Sequence, residues 1–249
     1  MTERTIQPHP ALAAYYSSLQ ERPDFVRTLF NRTAADYDLT TRMMSFGCGG
    51  LYRQGALSRA GLRAGARVLD VAVGTGQVAR EAIRICGSQG QVIGIDRSEN
   101  MLAVARRSLG ITVIQGEAEN LPLADASVDF VSMGYALRHV SCLRLAFEEF
   151  NRVLRPGGRL LILEFGQPSS AAGRALARLY LSRIVPALCR PLTASDRAGE
   201  LYRYCWDTIQ SCVPAPIIIS ALADAGFTAP DCTSSMGILA AYTAGKLPA

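Results

Sequence analysis

The chain has 249 residues, 49% hydrophobic and 19% charged, with a formal net charge of +5, which suits one α/β domain with additions and a sizeable core that needs no disulfides. Seven cysteines without a C-x-x-C pair, beside only His9 and His139, argue against zinc or any other metal site. The absence of an apolar run of about 18 residues argues against a membrane span, and the absence of a basic–aromatic stripe argues against a nucleic-acid partner.

The polar stretch Met1–Pro10 lacks an apolar h-region. No secretion signal is expected, and the scattered cysteines read as small buried hydrophobes of a cytoplasmic protein. Residues 9–63 read as helical, with apolar side chains at three and four spacings over Pro10–Leu19, Phe25–Asp36 and Thr41–Leu62, interrupted by Pro23 and Gly47-Cys48-Gly49-Gly50. Strands and helices then alternate: strand Arg67–Val71, helix Gln77–Cys86, strand Gln91–Ile95, helix Glu99–Leu109, strands Ile111–Gln115 and Val128–Met133, helix Leu143–Leu154 and strand Arg159–Phe165. Alternation at these lengths predicts βαβ units, and near-continuous apolar strands predict a mostly parallel sheet covered on both faces. Residues 167–214 break the alternation with an Arg-rich, helical-looking insert cut by Pro186 and Pro191. Helix Ile217–Ala225 and strands near Phe227–Thr233 and Gly237–Ala244 close the chain. The expected organisation is one domain: a helical cap over 1–63, a binding core over 64–166, a lid over 167–214 and a closing unit over 215–249.

The run Val68 to Ala79 carries the most information. A β-branched and aliphatic strand ends in Asp70, passes through Gly74-Thr75-Gly76 and opens a helix. Glycine at 74 and 76 permits positive φ and close approach of a ligand, and the helix start presents free N–H groups. The spacing also fits the dinucleotide pattern G-x-G-x-x-A. Asp70 breaks the tie, because a carboxylate there repels a pyrophosphate but suits the ammonium and sulfonium of S-adenosylmethionine (SAM). Asp96, at the end of the second strand, can take both ribose hydroxyls, or merely cap the helix behind Ser98. After the third strand Glu117 can accept from an adenine amino group, with the Ala118 N–H for a ring nitrogen, or be a solvated acid of the loop. Met101 can pack on adenine or fill the core.

These segments, with Asp129-Phe130-Val131 and Leu154-Arg155-Pro156-Gly157-Gly158, resemble a class I SAM-dependent methyltransferase, and more narrowly the menaquinone/ubiquinone C-methyltransferases. Phe30, Ala34, Tyr37 and Asp38 match that family's Phe-x-x-x-Ala-x-x-Tyr-Asp; Met44-Ser45-Phe46-Gly47, Leu137-Arg138-His139-Val140, Tyr202-Arg203-Tyr204 and Asp224-Ala225-Gly226-Phe227 resemble its further blocks. The resemblance implies a Rossmann-like, mostly parallel seven-stranded sheet with helices on both faces, an N-terminal helical cap and an inserted helical segment. It adds Thr75, Arg97 and Gly134 to the cofactor set. The chain departs from the family at Thr41, Gly49, Tyr52, Gln77, His139, Gly166 and Tyr242, where Asn, His, Trp, an acid, Asn, Ser and His are usual. Those departures bear on the acceptor more than on SAM.

The implied reaction is in-line transfer of a methyl group to a ring carbon of a quinol or related phenol. O- or N-methylation of a small aromatic or polyketide-like product and SAM binding without methyl transfer are the alternatives. A phenol of pKa about 10 needs help to ionise at neutral pH. His139 is the candidate base and Arg138 the candidate phenolate partner; the alternatives are a paired His in the shell and an ion pair of Arg138 with Glu148 or Glu149. Tyr37 can close the cap over SAM and Tyr204 can line the acceptor pocket, or both can be core aromatics. Arg178, Arg183 and Arg190 alternate with Leu176, Leu179, Tyr180, Ile184, Val185 and Leu188. That segment can lie on the inner face of a membrane as a peripheral contact, or pack as a lid on its own domain or on the twin subunit of a homodimer.

Overall fold

The computed structural model describes residues 6–168, 170–189, 197–235 and 237–248. Three helices open it: α1 (Arg22–Thr33), α2 (Tyr37–Met44) and α3 (Gly49–Arg59). The expected helix over Pro10–Leu19 is instead a run of turns and bends. Within it Tyr15 N and Tyr16 N both turn back on Leu12 O, and just before it Leu143 N donates to Ile6 O and Val213 N to Pro8 O. Tyr15 and Tyr16 anchor the segment against Phe25. Pro23 does not interrupt a helix but sits in the first turn of α1, where a missing N–H costs nothing. Thr41–Leu62 breaks at the expected glycine cluster, where Phe46 (φ 48°) and Gly47 (φ 77°) turn the chain in the left-handed region between α2 and α3.

Strand β1 (Arg67–Val71), α4 (Gln77–Cys86), β2 (Gln91–Asp96), α5 (Glu99–Leu109), β3 (Thr112–Gln115), β4 (Val128–Gly134), α6 (Leu143–Val153) and β5 (Leu154–Phe165) follow. β5 starts earlier than the expected Arg159: Val128 pairs with Leu154 and Phe130 with Arg159, so Pro156-Gly157-Gly158 bulges within the strand instead of preceding it. The insert forms α7 (Ala171–Leu179), a π-helical turn (Tyr180–Ile184), α8 (Val185–Cys189) and α9 (Arg197–Ser211). Pro186 does not cut it. The proline falls in the first turn of α8, after the widened π turn. Arg190 and Pro191 lie outside the described residues. α10 (Ala215–Asp224), β6 (Phe227–Ser235) and β7 (Leu239–Lys246) close the chain.

The seven strands form one sheet in the order β3-β2-β1-β4-β5-β7-β6. Strands β1 to β5 pair in parallel, while β7 runs antiparallel to β5 and β6. Alternate residues of the inner strands serve opposite faces. Leu69, Val131, Leu160 and Ile162 pack with Phe147 and Phe150 of α6 and Leu222 of α10. Val68, Phe130, Leu161 and Leu163 pack with Leu57 of α3 and Ala79 and Ala82 of α4. Strand order reverses between β1 and β4, which opens a crevice beyond their carboxyl ends, the place where ligands bind in such sheets.

Candidate active site

The loop after β1 shows how the backbone shapes that crevice. Ala72 (φ 53°), Gly74 (φ 55°) and Gly76 (φ 88°) all take the left-handed region, and Ala72 is the strained member. A side chain at Gly76 would meet Leu109 Cδ1 at 2.4 Å. Across the crevice, one at Gly134 would meet Val78 Cγ2 at 2.5 Å. Both positions therefore need glycine for close packing.

Asp70 is buried at the end of β1. One of its oxygens accepts from Ser132 Oγ at 2.7 Å, and the other, Oδ2, has no partner. Burial pushes its carboxyl up to about 7, against the hydrogen bonds from Ser132 and backbone. Asp96 accepts from Gly74 N and Ser98 N, each at 2.8 Å, which staples the Gly-rich loop to the start of α5. The cap of α5 is Ser98, whose hydroxyl accepts from Met101 N at 3.2 Å. Burial raises the Asp96 carboxyl as well.

Two cavities meet at this loop and share Tyr37, Ala72, Gly74, Gly134 and Tyr135 as walls. The smaller, about 100 Å³, is lined by Asp96, Arg97, Met101, Ala118, Glu119 and His139. Glu117 is not among its lining residues; it is half-exposed and pairs with Arg97 at 2.7 Å. Glu119 takes the wall position and accepts the backbone N–H groups of Ser141 and Cys142. The larger cavity, about 430 Å³, reaches from Asp70, Thr75 and Gln77 to a wall of Tyr52, Phe165, Tyr180, Tyr202, Trp206 and Ile209, and Arg138 also lines it.

Arg138 and His139 diverge although adjacent in sequence. Arg138 is buried and ion-pairs with Glu164 on β5, the partner that takes the place of the expected Glu148 or Glu149. Those two acids pair with Arg144 and Arg152 instead. Arg138 also donates to Thr208 Oγ1 at 3.1 Å and to the Tyr135 carbonyl at 2.8 Å. Burial pulls its pKa down, but Glu164 and Cys205 more than offset this and raise it. His139 stacks on Tyr204 at 5.4 Å and meets Phe30 edge-on at 5.4 Å, and neither ring nitrogen has a protein partner. Burial, with the nearby charges of Arg138, His9 and Arg22, holds it well below the usual imidazole range and therefore neutral at pH 7. Tyr204 lines neither cavity and is fully buried in the aromatic cluster of Tyr15, Tyr16 and Phe25. Tyr37 lines both cavities, and burial pushes its phenol up to about 12.

One feature of the site escaped the sequence reasoning. Asp38 Oδ1 accepts from Thr75 Oγ1 at 2.5 Å and from Gln77 Nε2 at 3.0 Å, and Arg53 donates to Gln77 Oε1. The chain Thr75–Asp38–Gln77–Arg53 ties α2 and α3 onto the Gly-rich loop. The pairing of Tyr37 with Asp38 in one motif was the available signal; the partners lie on remote segments that local pattern does not join.

Comparison with known proteins agrees with this architecture. The family model described as the ubiE/COQ5 methyltransferase family matches residues 17–246. A ubiquinone/menaquinone biosynthesis C-methyltransferase UbiE of Hahella chejuensis is 38% identical over 197 residues, 76% of this chain and 78% of its own. One of Coxiella burnetii is 34% identical over 236 residues, covering 91% and 92%. Among solved structures, a SAM-dependent methyltransferase from Thermotoga maritima superposes with a TM-score of 0.63 at 22% identity, covering 88% of this chain and 99% of that one. The [4+2]-cyclase SpnF gives 0.64 at 17% identity, covering 98% and 100%; at these identities the likeness is one of fold. The glycine loop, the acids at the ends of β1 and β2 and the cap helices tied onto them all fall inside the matched residues, and the chain belongs to the ubiE/COQ5 methyltransferase family.

Proposed function

We propose that this SAM-dependent methyltransferase transfers a methyl group to a ring carbon of a quinol or related phenol held in the larger cavity. The observation that carries this reading is an aromatic-walled chamber of about 430 Å³ that joins the Gly-rich crevice at Tyr37, Gly134 and Tyr135. The names of the Hahella and Coxiella relatives point to the same chemistry. The crevice fits SAM on its own terms. The unpartnered Asp70 Oδ2 is suited to an ammonium, and the glycine positions at 76 and 134 leave no room for a side chain. In this reading Asp70 and Thr75 hold the amino-acid end, Asp96 the ribose, and Met101, Arg97, Gly134 and the Ala118 N–H the adenosine, with Glu119 in the place foreseen for Glu117.

Bound there, SAM supplies an electrophilic methyl group on a sulfonium. The protein's own share is positioning and a dry wall, which favours a step that disperses charge. Arg138 offers oriented N–H groups at the cavity; because Glu164 neutralises it, its contribution is a dipole rather than a net charge. His139 lines only the smaller cavity, on the donor side, and burial makes it a weak base, so this reading gives it no proton to take from the acceptor. The test is to incubate the protein with methyl-labelled SAM and a panel of reduced prenyl quinones and simple phenols. A product with a new C–CH₃ signal by NMR is expected; only O–CH₃ or N–CH₃ products would replace the reading.

A second acceptor class has its own support. Thr41, Gly49, Tyr52, Gln77 and Gly166, five positions where the chain departs from the family pattern, all line the larger cavity. A soluble phenolic ring without a prenyl tail fits such a rebuilt wall, and the same panel separates the two.

We also propose that the chain works as one methyltransferase unit and docks on a membrane surface. Phe46, 79% exposed on the cavity rim, stacks on Tyr180, directly after α7 with its exposed Leu176 and Leu179, and Arg178 and Arg183 belong to the same segment. No helix among the described residues is long and apolar enough to cross a bilayer. Apolar side chains flanked by arginines suit the headgroup region of anionic lipid. Co-sedimentation with anionic but not neutral vesicles is expected; a doubled mass in solution with no vesicle binding would assign the face to a homodimer.

A further inference from the structure

We propose that Arg53 binds the carboxylate at the amino-acid end of the methyl donor, in the larger cavity that it lines together with Asp70. This rests on the donor reading above. The second turn of α3 carries the side chain. A Cβ at Gly49 would lie 2.9 Å from Arg53 Nη1, so the guanidinium runs hard against the helix start. Only 8% of the residue is exposed. One terminal nitrogen donates to Gln77 Oε1, and the guanidinium carbon lies 5.8 Å from the centroid of the Tyr135 ring. The buried Nε has no partner.

Among the described residues no carboxylate pairs with Arg53. Glu81, whose carboxylate faces the same helix turn, is engaged with Arg84 at 2.7 Å. A guanidinium removed from water without a counter-ion is costly. The same cavity holds the complementary deficit, the buried and unpartnered Oδ2 of Asp70. A cation and an anion, each without an ion-pair partner among the described residues, line one cavity beside the N-terminus of α4 and match the two ends of an amino-acid zwitterion. A phenolate of the acceptor is the competing anion. The hydrogen bond of Arg53 to Gln77, itself tied to Asp38 and Thr75, places the guanidinium against the donor loop rather than the outer aromatic wall.

The test compares ligands as well as proteins. Binding of SAM and of decarboxylated SAM, which lacks only the carboxylate, is measured by calorimetry for the wild type, Arg53→Gln and Arg53→Lys. Wild type is expected to bind SAM about 10- to 100-fold tighter than the decarboxylated analogue, the range for a charge-assisted hydrogen bond. Arg53→Gln should lose that preference by weakening SAM alone, and Arg53→Lys should recover part of it. A wild type that discriminates less than about threefold overturns the proposal even where a variant fails to fold. Equal weakening of both ligands in Arg53→Gln also overturns it, as does unchanged SAM affinity with a raised acceptor KM. A wild type that binds neither ligand fails the donor reading itself, a separate result.

Discussion

The donor crevice and the acceptor cavity are built in opposite ways. Asp70, Gly74, Asp96 and Ala118 sit at the ends of successive strands, within one continuous stretch; Asp96 meets the backbone of Gly74 and Ser98, and Asp70 meets Ser132 on the neighbouring strand. The acceptor cavity borrows Thr41 and Tyr52 from the cap, Phe165 from β5, Tyr180 and Trp206 from the insert and Leu239 from β7. A ligand common to many proteins can be met by a local motif. A ligand particular to one is met by side chains gathered from distant segments, each of which can change without disturbing the sheet.

The largest effect is expected where the two regions are sewn together. Arg138 follows β4, Glu164 ends β5 and Thr208 lies on α9, so their contacts join the sheet to the insert. Arg138→Met leaves the Glu164 carboxylate buried and unpaired, a loss of about 3–5 kcal/mol. In a chain of this size that lowers Tm by roughly 10 °C, readable by calorimetry. Adding Glu164→Leu should recover most of it, because the pair is then replaced rather than broken. No recovery would mean that Arg138 is needed for its bonds to Thr208 and the Tyr135 carbonyl instead.

Next in size is a change confined to the donor side. If Asp96 holds the ribose as proposed, Asp96→Ala removes that acceptor together with the staple between Gly74 and Ser98. SAM affinity should fall about 100-fold, which at about 1.4 kcal/mol per tenfold is the worth of one or two charged hydrogen bonds. Binding of an acceptor analogue should stay within a factor of about two; a parallel loss would show that the two regions are not separable.

The donor side should also carry its own pH dependence. The free protein's Asp70 carboxyl ionises at about 7, above the ordinary Asp value of about 3.9. An ammonium ligand binds the ionised form, so below about pH 7 a proton must first leave. SAM affinity should therefore weaken as pH falls, by at most about tenfold per unit, and binding should release protons. Asp70→Asn should bind weakly with that slope gone. A slope that survives in Asp70→Asn points to another group.

What could be read from sequence follows the same division. Strand β1, α4 and α5 were legible to the residue, because an apolar run, a glycine turn and a capping serine are local signals. The parallel sheet and the acids at its crevice followed from them. Pro10–Leu19 forms turns rather than a helix where remote segments hold it: Leu143 and Val213 bond the backbone just ahead of it at Ile6 and Pro8, and Tyr15 packs on Tyr204. The Arg138–Glu164 pair and the Asp38–Gln77–Arg53 chain were invisible for the same reason: a buried charge finds its partner through the tertiary fold, not at a fixed spacing. His139 and Tyr204 were foreseen as facing the acceptor, and they are found stacked on each other beside the smaller cavity.

The smallest effect, and the sharpest on acceptor identity, belongs to Tyr52. Its hydroxyl is buried at the larger cavity and has no partner in the protein. Leaving such a group unmet costs about 1–3 kcal/mol, which is offset if an oxygen of the acceptor meets it. Tyr52→Phe removes the cost and the contact together. SAM affinity should not move, Tm should rise by a few degrees, and kcat/KM for the true acceptor should fall about tenfold, or about 1.4 kcal/mol. The fall should be absent for an acceptor without an oxygen at that place on the ring, so the ratio of the two losses reports which ring substituent faces α3. A rise in Tm with unchanged kcat/KM for every acceptor would show that ring oxygens face elsewhere, and Thr41, whose hydroxyl already donates to the Tyr37 carbonyl at 2.7 Å, would not replace it as donor.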